Sequence, residues 1–228
     1  MKTILIGLTA LAMATAVDAT TVVYTFGSPG GNLGATHTYT VGGLSLVATG
    51  YDNLGHTTAL YGKNAGGDEI GLGMANDPTG NFEIHYKKGF VQLDVSLLAG
   101  KANLHTFTFS TNSTTNGEQW GVFASNTAGS YSGGPLLTGS TESTQTLNDV
   151  LGHRYYDFVE INHTAGQGDN FLITSFGVST VPEPAGWAMM LIGLFAIGAA
   201  ARARPRPARV RARDKRSLPD SRARRTEV

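Results

Sequence analysis

The stretch Phe90-Val91-Gln92-Leu93-Asp94-Val95 decides the fold class, because apolar and polar side chains alternate along it. Successive side chains of a β-strand point to opposite faces, so Val91, Leu93 and Val95 share one face while Gln92 and Asp94 take the other. Segments 69–74 and 155–161 show the same alternation. The pattern is typical of strands that cover a core with one face.

Turn-forming clusters separate these segments, for example Gly66-Gly67-Asp68 and Ser132-Gly133-Gly134-Pro135, and nothing between them sustains the period of an α-helix. Segment 170–180 is apolar on both faces, as in a central strand. We therefore predict an all-β domain over residues 20–180, an antiparallel, jelly-roll-like β-sandwich. The predicted strands are 21–26, 38–41, 44–50, 60–62, 69–74, 82–86, 90–98, 104–110, 119–125, 136–138, 143–147, 155–161 and 170–180.

Charge is distributed unevenly along the chain, although the formal total is zero. Residues 20–181 carry twelve acidic and five basic side chains, whereas residues 202–228 carry three acidic and eleven basic ones. An acidic body argues against nucleic-acid binding, which needs Lys and Arg against phosphates. The absence of cysteine excludes disulfides, thiolate metal sites and a cysteine nucleophile.

The N-terminus has the pattern of a secretory signal peptide. Lys2 supplies the basic start, an apolar run follows from Ile4 to Ala14, and small residues come next. Two cleavage positions fit this pattern, after Ala19 and after Ala16, and the first is preferred. We predict a signal peptide over residues 1–19; the alternative is a buried helix or strand of the domain.

The C-terminal region has the composition of a single transmembrane helix. The 18 residues from Pro184 to Ala201 carry no charge. As a helix they span ~27 Å, close to the ~30 Å of a bilayer's hydrocarbon core. Trp187 stands at one edge and arginines begin at Arg202, so the positive-inside rule puts the tail in the cytoplasm and the acidic body outside. The signal peptide predicts the same orientation; a buried core helix is the alternative.

Val181-Pro182-Glu183-Pro184, with Trp187 inside the PEPxxWAMM pattern and the following apolar run and arginines Arg202 and Arg204, resembles the PEP-CTERM sorting signal. In that family the signal tags exported proteins of exopolysaccharide-producing Gram-negative bacteria. The resemblance implies recognition by an exosortase at the inner membrane and cleavage near Pro-Glu-Pro. It also implies a final location at the cell surface or outside the cell. The body is more weakly similar to the sandwich domains that precede such tags.

The chain continues further past the first arginines than is usual in that family. We assign residues 181–206 to the sorting signal and residues 207–228 to a disordered basic tail, because a Pro- and Arg-rich segment cannot bury enough apolar surface to fold. The tail is interpreted as a cytoplasmic segment near anionic lipid headgroups or as a read-through artefact. Its charge also allows nucleic-acid binding, which is the least favoured alternative.

Asp77, Asn81 and Glu83 form the candidate metal site of the sequence. Oxygen ligands from a short loop suit a hard cation such as Ca²⁺, although EF-hand spacing is absent. A polar hairpin loop is the alternative and is favoured. The six histidines have no metal-pair spacing, and neither HExxH nor GxSxG occurs. We expect no other cofactor and no catalytic residue.

Aromatic side chains supply the candidate carbohydrate-binding residues, because a flat ring pairs with the CH-rich face of a sugar. Tyr131, between serines and beside two glycines, is expected to be exposed, with Tyr51 and Tyr61 as further candidates. Trp120 is the other candidate, but a place in the core is favoured for it.

These features favour a non-enzymatic protein that is exported, sorted and displayed or released as a surface or matrix component binding exopolysaccharide. One alternative is a purely structural or adhesive matrix protein. The other is a polysaccharide hydrolase using paired carboxylates such as Glu83 and Asp94, which requires them to face each other across a cleft.

Overall fold

The computed structural model describes residues 20–99, 104–114, 117–148, 152–162, 170–180, 193–195 and 197–198. The chain divides into two compact units, Met1–Ala185 and Gly186–Val228. In the second unit the described residues are helical. Within the described ranges, no helix combines the length and apolar character needed to cross a bilayer. The predicted signal peptide, and nearly all of the predicted transmembrane helix, lie outside these ranges.

The described strands of the first unit form two antiparallel sheets. The first sheet contains β1 (Thr20–Thr25), β2 (Gly31–Gly34), β6 (Leu60–Asn64), β7 (Ile70–Met74), β8 (Ile84–His85), β10 (Leu104–Asn112), β13 (Gln145–Leu147) and β15 (Asn170–Thr180). The second sheet contains β3 (Thr36–Val41), β4 (Leu44–Asp52), β5 (Thr57–Thr58), β9 (Gly89–Asp94), β11 (Trp120–Ser125), β12 (Leu137–Gly139) and β14 (Tyr155–Glu160). The predicted all-β sandwich of antiparallel strands is confirmed.

The strand order places the first and last strands of the domain, β1 and β15, side by side. The first sheet runs β13-β10-β15-β7-β6-β2, with β1 and β8 also paired to β15, and the second runs β12-β11-β14-β9-β4-β3, with β5 on β4. Strand β1 pairs with β15 from Thr20 opposite Thr180 to Thr25 opposite Ser175. The 11-residue β15 is thus a central strand, as its two apolar faces predicted.

The main core lies between the sheets and is rich in aromatic rings. Phe109 packs edge-on against Trp120 and Phe158, with ring centroids 5.1 Å apart in both pairs. Phe107 makes similar contacts with Tyr156. Burying each side chain of this size stabilises the fold by about 1.5–3 kcal/mol relative to exposure, so these rings are a principal source of stability.

The local predictions fail at three short elements. The strand predicted over 90–98 ends at Asp94 and is followed by the short helix α1 (Ser96–Ala99). Asp94 Oδ1 accepts the backbone N–H of Ser96 at 2.8 Å, a local bond that competes with continued strand pairing. The short strands β2 and β5 were not predicted, because β2 has the sequence Gly-Asn-Leu-Gly, a composition typical of turns, and β5 has only two residues.

Candidate functional site

The outer face of the second sheet carries a second buried cluster of apolar residues. Strand register places Tyr51, Phe90 and Val159 side by side on β4, β9 and β14. All three are buried together with Phe123 of β11, and Ile161 packs against them. The rings of Tyr51 and Phe90 stack with centroids 5.3 Å apart. This sheet therefore has apolar cover on both faces.

Next to these residues in the register lies a buried polar pair. Gln92 of β9 is opposite Asp157 of β14, and Asp157 is opposite Phe123. The Gln92 amide donates from Nε2 to Asp157 Oδ1 at 2.6 Å. Its Oε1 accepts the backbone N–H of Gly129 at 3.2 Å. Gln92 thus joins the sheet to the loop of residues 126–131, which we call the cover loop.

Asp157 is fully buried, and its environment disfavours the charged form. Its Oδ2 finds no hydrogen-bond donor among the described residues. Burial raises the pKa of Asp157 to about 7, although the hydrogen bond from Gln92 opposes this rise. The carboxyl group is therefore distributed between its neutral and charged forms near neutral pH.

The cover loop approaches the sheet at glycines. Gly129 has φ +71°, and a Cβ placed on it would lie 2.9 Å from both the carbonyl oxygen of Gly55 and Cε1 of Tyr51. Neither distance allows a side chain without movement of its neighbours. The position therefore requires glycine for both its backbone conformation and its close contact.

Tyr131, at the end of the cover loop, is the exposed part of this surface. Its ring lies 5.0 Å from that of Phe90 and 4.9 Å from that of Phe123, centroid to centroid. The side chain remains 38% exposed. Burial also raises the pKa of the Tyr131 hydroxyl, so it stays protonated at neutral pH. The predicted exposure of Tyr131 agrees with this position.

Tyr131 lines two cavities. One has a volume of about 210 Å³ and is lined by Asn53, Lys87, Phe90, Phe123, Tyr131 and Ile161 among others; we call it the Tyr131 pocket. The other, of about 360 Å³, lies against Leu54, Gly55, Gly129 and Ser130. Recesses that share an aromatic ring and are also lined by an asparagine, a lysine and glycines have the mixed character of a small-ligand site.

A second candidate surface lies on the first sheet. Tyr61 and Phe82 stack with ring centroids 3.9 Å apart and planes 11° apart. With Asn64 and Asn81 they line an open cleft of about 410 Å³, which we call the Tyr61 cleft. Lys63 also lines it, but the Lys63 ammonium is bound by Glu69 and, at 2.7 Å, by Glu83.

The predicted metal ligands have other partners in this structure. Asp77 accepts the hydroxyl of Thr79 at 2.8 Å and the backbone N–H of Glu83 at 3.1 Å, so it closes the turn. Glu83 accepts the hydroxyl of Ser113 at 2.9 Å as well as Lys63, and burial raises its pKa. Asn81 is exposed. Within the described ranges, no group of three or more His, Cys, Asp or Glu side chains converges as metal ligands do.

Trp120 is not available to a sugar. The residue is 0% exposed, and its Nε1 donates to the carbonyl oxygen of Thr141 at 3.3 Å. A ring enclosed by the core presents no face to solvent, so its assignment as a carbohydrate-binding residue is wrong and the core position favoured by the sequence is correct.

The two carboxylates considered for hydrolysis have separate partners. Glu83 is held by Lys63 and Ser113, whereas Asp94 pairs with the Arg154 guanidinium, with Nη2 and Oδ2 2.8 Å apart. The residues of the predicted processing sites lie outside the described ranges: Ala19, Val181, Pro182, Glu183, Pro184, Trp187, Arg202 and Arg204.

Sequence reasoning did not identify Gln92, Asp157, Phe90 and Phe123 as members of one site. One signal was available: Phe90 and Val159 occupy the same strand faces as Gln92 and Asp157, so apolar residues occur on faces taken to be polar.

A scan against family models finds no match for this chain, and no curated protein or solved structure matches it.

Proposed function

We propose that the chain is a non-enzymatic exported protein that an exosortase sorts to the cell surface or extracellular matrix, where its β-sandwich binds polysaccharide at Tyr131. The observation that carries the binding proposal is the Tyr131 ring, which is partly exposed, lines two cavities and is supported by Phe90 and Phe123. A ring fixed in this way loses little conformational entropy when a sugar stacks on it.

The sorting part of the proposal depends on the two ends of the chain. The apolar N-terminus, the Pro182-Glu183-Pro184 motif, the uncharged 18-residue run and the arginines after it occur in the order that an exported, membrane-processed protein requires. The same proposal includes the jelly-roll-like topology, the transmembrane helix and passage through the inner membrane.

Intact mass of the protein isolated from the producing cell tests sorting. We expect a mature species that begins at Thr20 and ends near Pro184. A species that still contains Trp187 to Ala201 would show that the C-terminus is retained as an anchor, and one that begins at Met1 would contradict export by signal peptidase.

Retention on the producer's own exopolysaccharide tests binding. The full chain is purified in a detergent without a sugar headgroup and compared with Tyr131→Ala, Tyr61→Ala and Leu97→Ala, the last being a 51% exposed apolar control on α1. We expect Tyr131→Ala alone to lose retention. Loss with Tyr61→Ala instead would move the site to the Tyr61 cleft.

The same experiment with EDTA distinguishes the two binding modes. Retention that EDTA abolishes would assign binding to a cation at Asp77, Asn81 and Glu83 rather than to the tyrosine. A wild-type chain that is not retained at all would leave the structural or adhesive role as the better account.

A further inference from the structure

Free positive charge on the described part of the domain is concentrated in one turn. The described Lys and Arg side chains are Lys63, Lys87, Lys88 and Arg154. Lys63 is bound by two glutamates and Arg154 by Asp94. Among the described residues, the exposed Lys87 and Lys88 have no carboxylate partner. Both follow β8, in a domain whose overall charge is negative.

The turn directs Lys87, rather than Lys88, to the Tyr131 pocket. The backbone N–H of Lys88 donates to the carbonyl oxygen of His85 at 3.1 Å and closes the turn. Lys87 adopts φ 54° within it, and its Nζ lies 5.0 Å from the ring centroid of Tyr86. Lys87 lines the pocket together with Phe90 and Tyr131, whereas Lys88 does not.

The other charged group that lines the pocket is turned towards the protein. Glu160 is buried, and its Oε1 accepts the backbone N–H groups of Gln119 at 2.9 Å and Asn162 at 3.2 Å. Asp157 is also fully buried and is bonded to Gln92. The Lys87 ammonium is therefore the exposed charge among the residues that line the Tyr131 pocket.

We infer that the Tyr131 pocket binds a uronate residue of an anionic polysaccharide, with the sugar ring on Tyr131 and its carboxylate on Lys87. This inference rests on the proposed binding function and specifies its ligand class. Repulsion from the acidic body does not oppose it strongly, because the Debye length of about 8 Å at physiological salt screens distant charges more than a direct contact. A neutral sugar would offer the Lys87 ammonium no carboxylate partner beside the Tyr86 ring.

The test uses tetragalacturonate and its fully methyl-esterified form, two probes with the same sugar backbone that differ in charge. Affinities are measured for the full chain, Lys87→Asn, Lys88→Asn and Tyr131→Ala. Asparagine tolerates the left-handed backbone of Lys87, so the first variant removes the charge without straining the turn. Lys88→Asn makes the same charge change beside the site and serves as the control.

We expect the wild-type chain to prefer the acid over the ester by up to about five-fold, the upper end of the range for one exposed ion pair. Lys87→Asn should abolish this preference, and Lys88→Asn should retain most of it. Tyr131→Ala should lower the affinity for both probes. Equal wild-type affinities for acid and ester, or equal losses in the two lysine variants, would overturn the uronate assignment. If Tyr131→Ala nevertheless lowered the affinity for both probes, the proposed polysaccharide binding at Tyr131 would stand. Absence of binding to either probe would overturn the assignment, leaving retention on the native exopolysaccharide to decide the proposed function.

Discussion

Gln92 and Asp157, 65 residues apart in the sequence, are joined by a 2.6 Å hydrogen bond on the outer face of the second sheet. The geometry fixes the amide orientation, since the N–H of Gly129 can only donate and so faces Gln92 Oε1. One side chain thereby connects a buried carboxyl group to the loop that ends at Tyr131.

Gln92→Leu should release the cover loop. The substitution removes the acceptor for Gly129 and the donor for Asp157, and leaving buried polar groups unpaired costs about 1–3 kcal/mol each. We expect lower stability in urea unfolding and faster hydrogen exchange at the Gly129 amide. Gln92→Glu keeps the acceptor for Gly129, so exchange there should change less; equal exchange in both variants would contradict the anchoring role.

Asp157 should make stability depend on pH. Its pKa is raised in the folded state to about 7 from the usual aspartate value of 3.8, so between these values the folded protein holds a proton that the unfolded chain has lost. Stability should therefore fall as pH rises through this window, by up to about 1.4 kcal/mol per pH unit from this group.

Urea unfolding at several pH values, compared with Asp157→Asn, isolates this contribution. The variant retains an oxygen for Gln92 and cannot ionise, so it should lack the part of the pH slope that Asp157 supplies. Identical slopes in the two proteins would show that Asp157 titrates normally.

Gly129→Ala and Gly133→Ala form a matched pair, because both glycines have positive φ, +71° and +83°. A Cβ on Gly133 meets nothing within 4 Å, whereas one on Gly129 meets Gly55 and Tyr51 at 2.9 Å. Gly133→Ala should cost roughly 1–2 kcal/mol for its left-handed backbone. Gly129→Ala should cost more and should weaken binding at Tyr131. Equal free energies of unfolding for the two variants would show that the cover loop moves to accommodate the added methyl group at no cost.

Trp120→Phe should lower stability without affecting binding, whereas Tyr131→Ala should mainly affect binding. The first removes part of a fully buried ring and its bond to Thr141, so it should lower stability by roughly 1–3 kcal/mol without affecting polysaccharide retention. The second should abolish retention at a smaller cost in stability. Unfolding curves and retention measured on the same samples check both, and lost retention in a folded Trp120→Phe protein would contradict the core assignment.

The strands could be predicted because their alternation is local. Val91 and Leu93 are fully buried between the sheets, and Gln92 points to the opposite face, as their spacing requires. The same alternation gave the wrong environment for Gln92, which is also buried. The cover loop shields Gln92 from solvent, and no periodic pattern in the sequence relates that loop to β9.

The candidate site was predicted only in part for the same reason. Glycine and serine neighbours correctly indicated that Tyr131 is exposed, because such residues form surface turns. The rings that support it come from other strands, Phe90 and Phe123, and strand register brings them together only in the folded protein. The position of Lys87 at the pocket likewise depends on pairing between β8 and β15.

Hydrogen–deuterium exchange of the full chain, with and without oligosaccharides from the producer's exopolysaccharide, tests the central claim of binding at Tyr131 most directly. The account predicts slower exchange in peptides that cover residues 86–90 and 126–131, with no change around residues 61–64. Protection confined to residues 61–64 and 80–82, or no protection anywhere at saturating ligand, would contradict it.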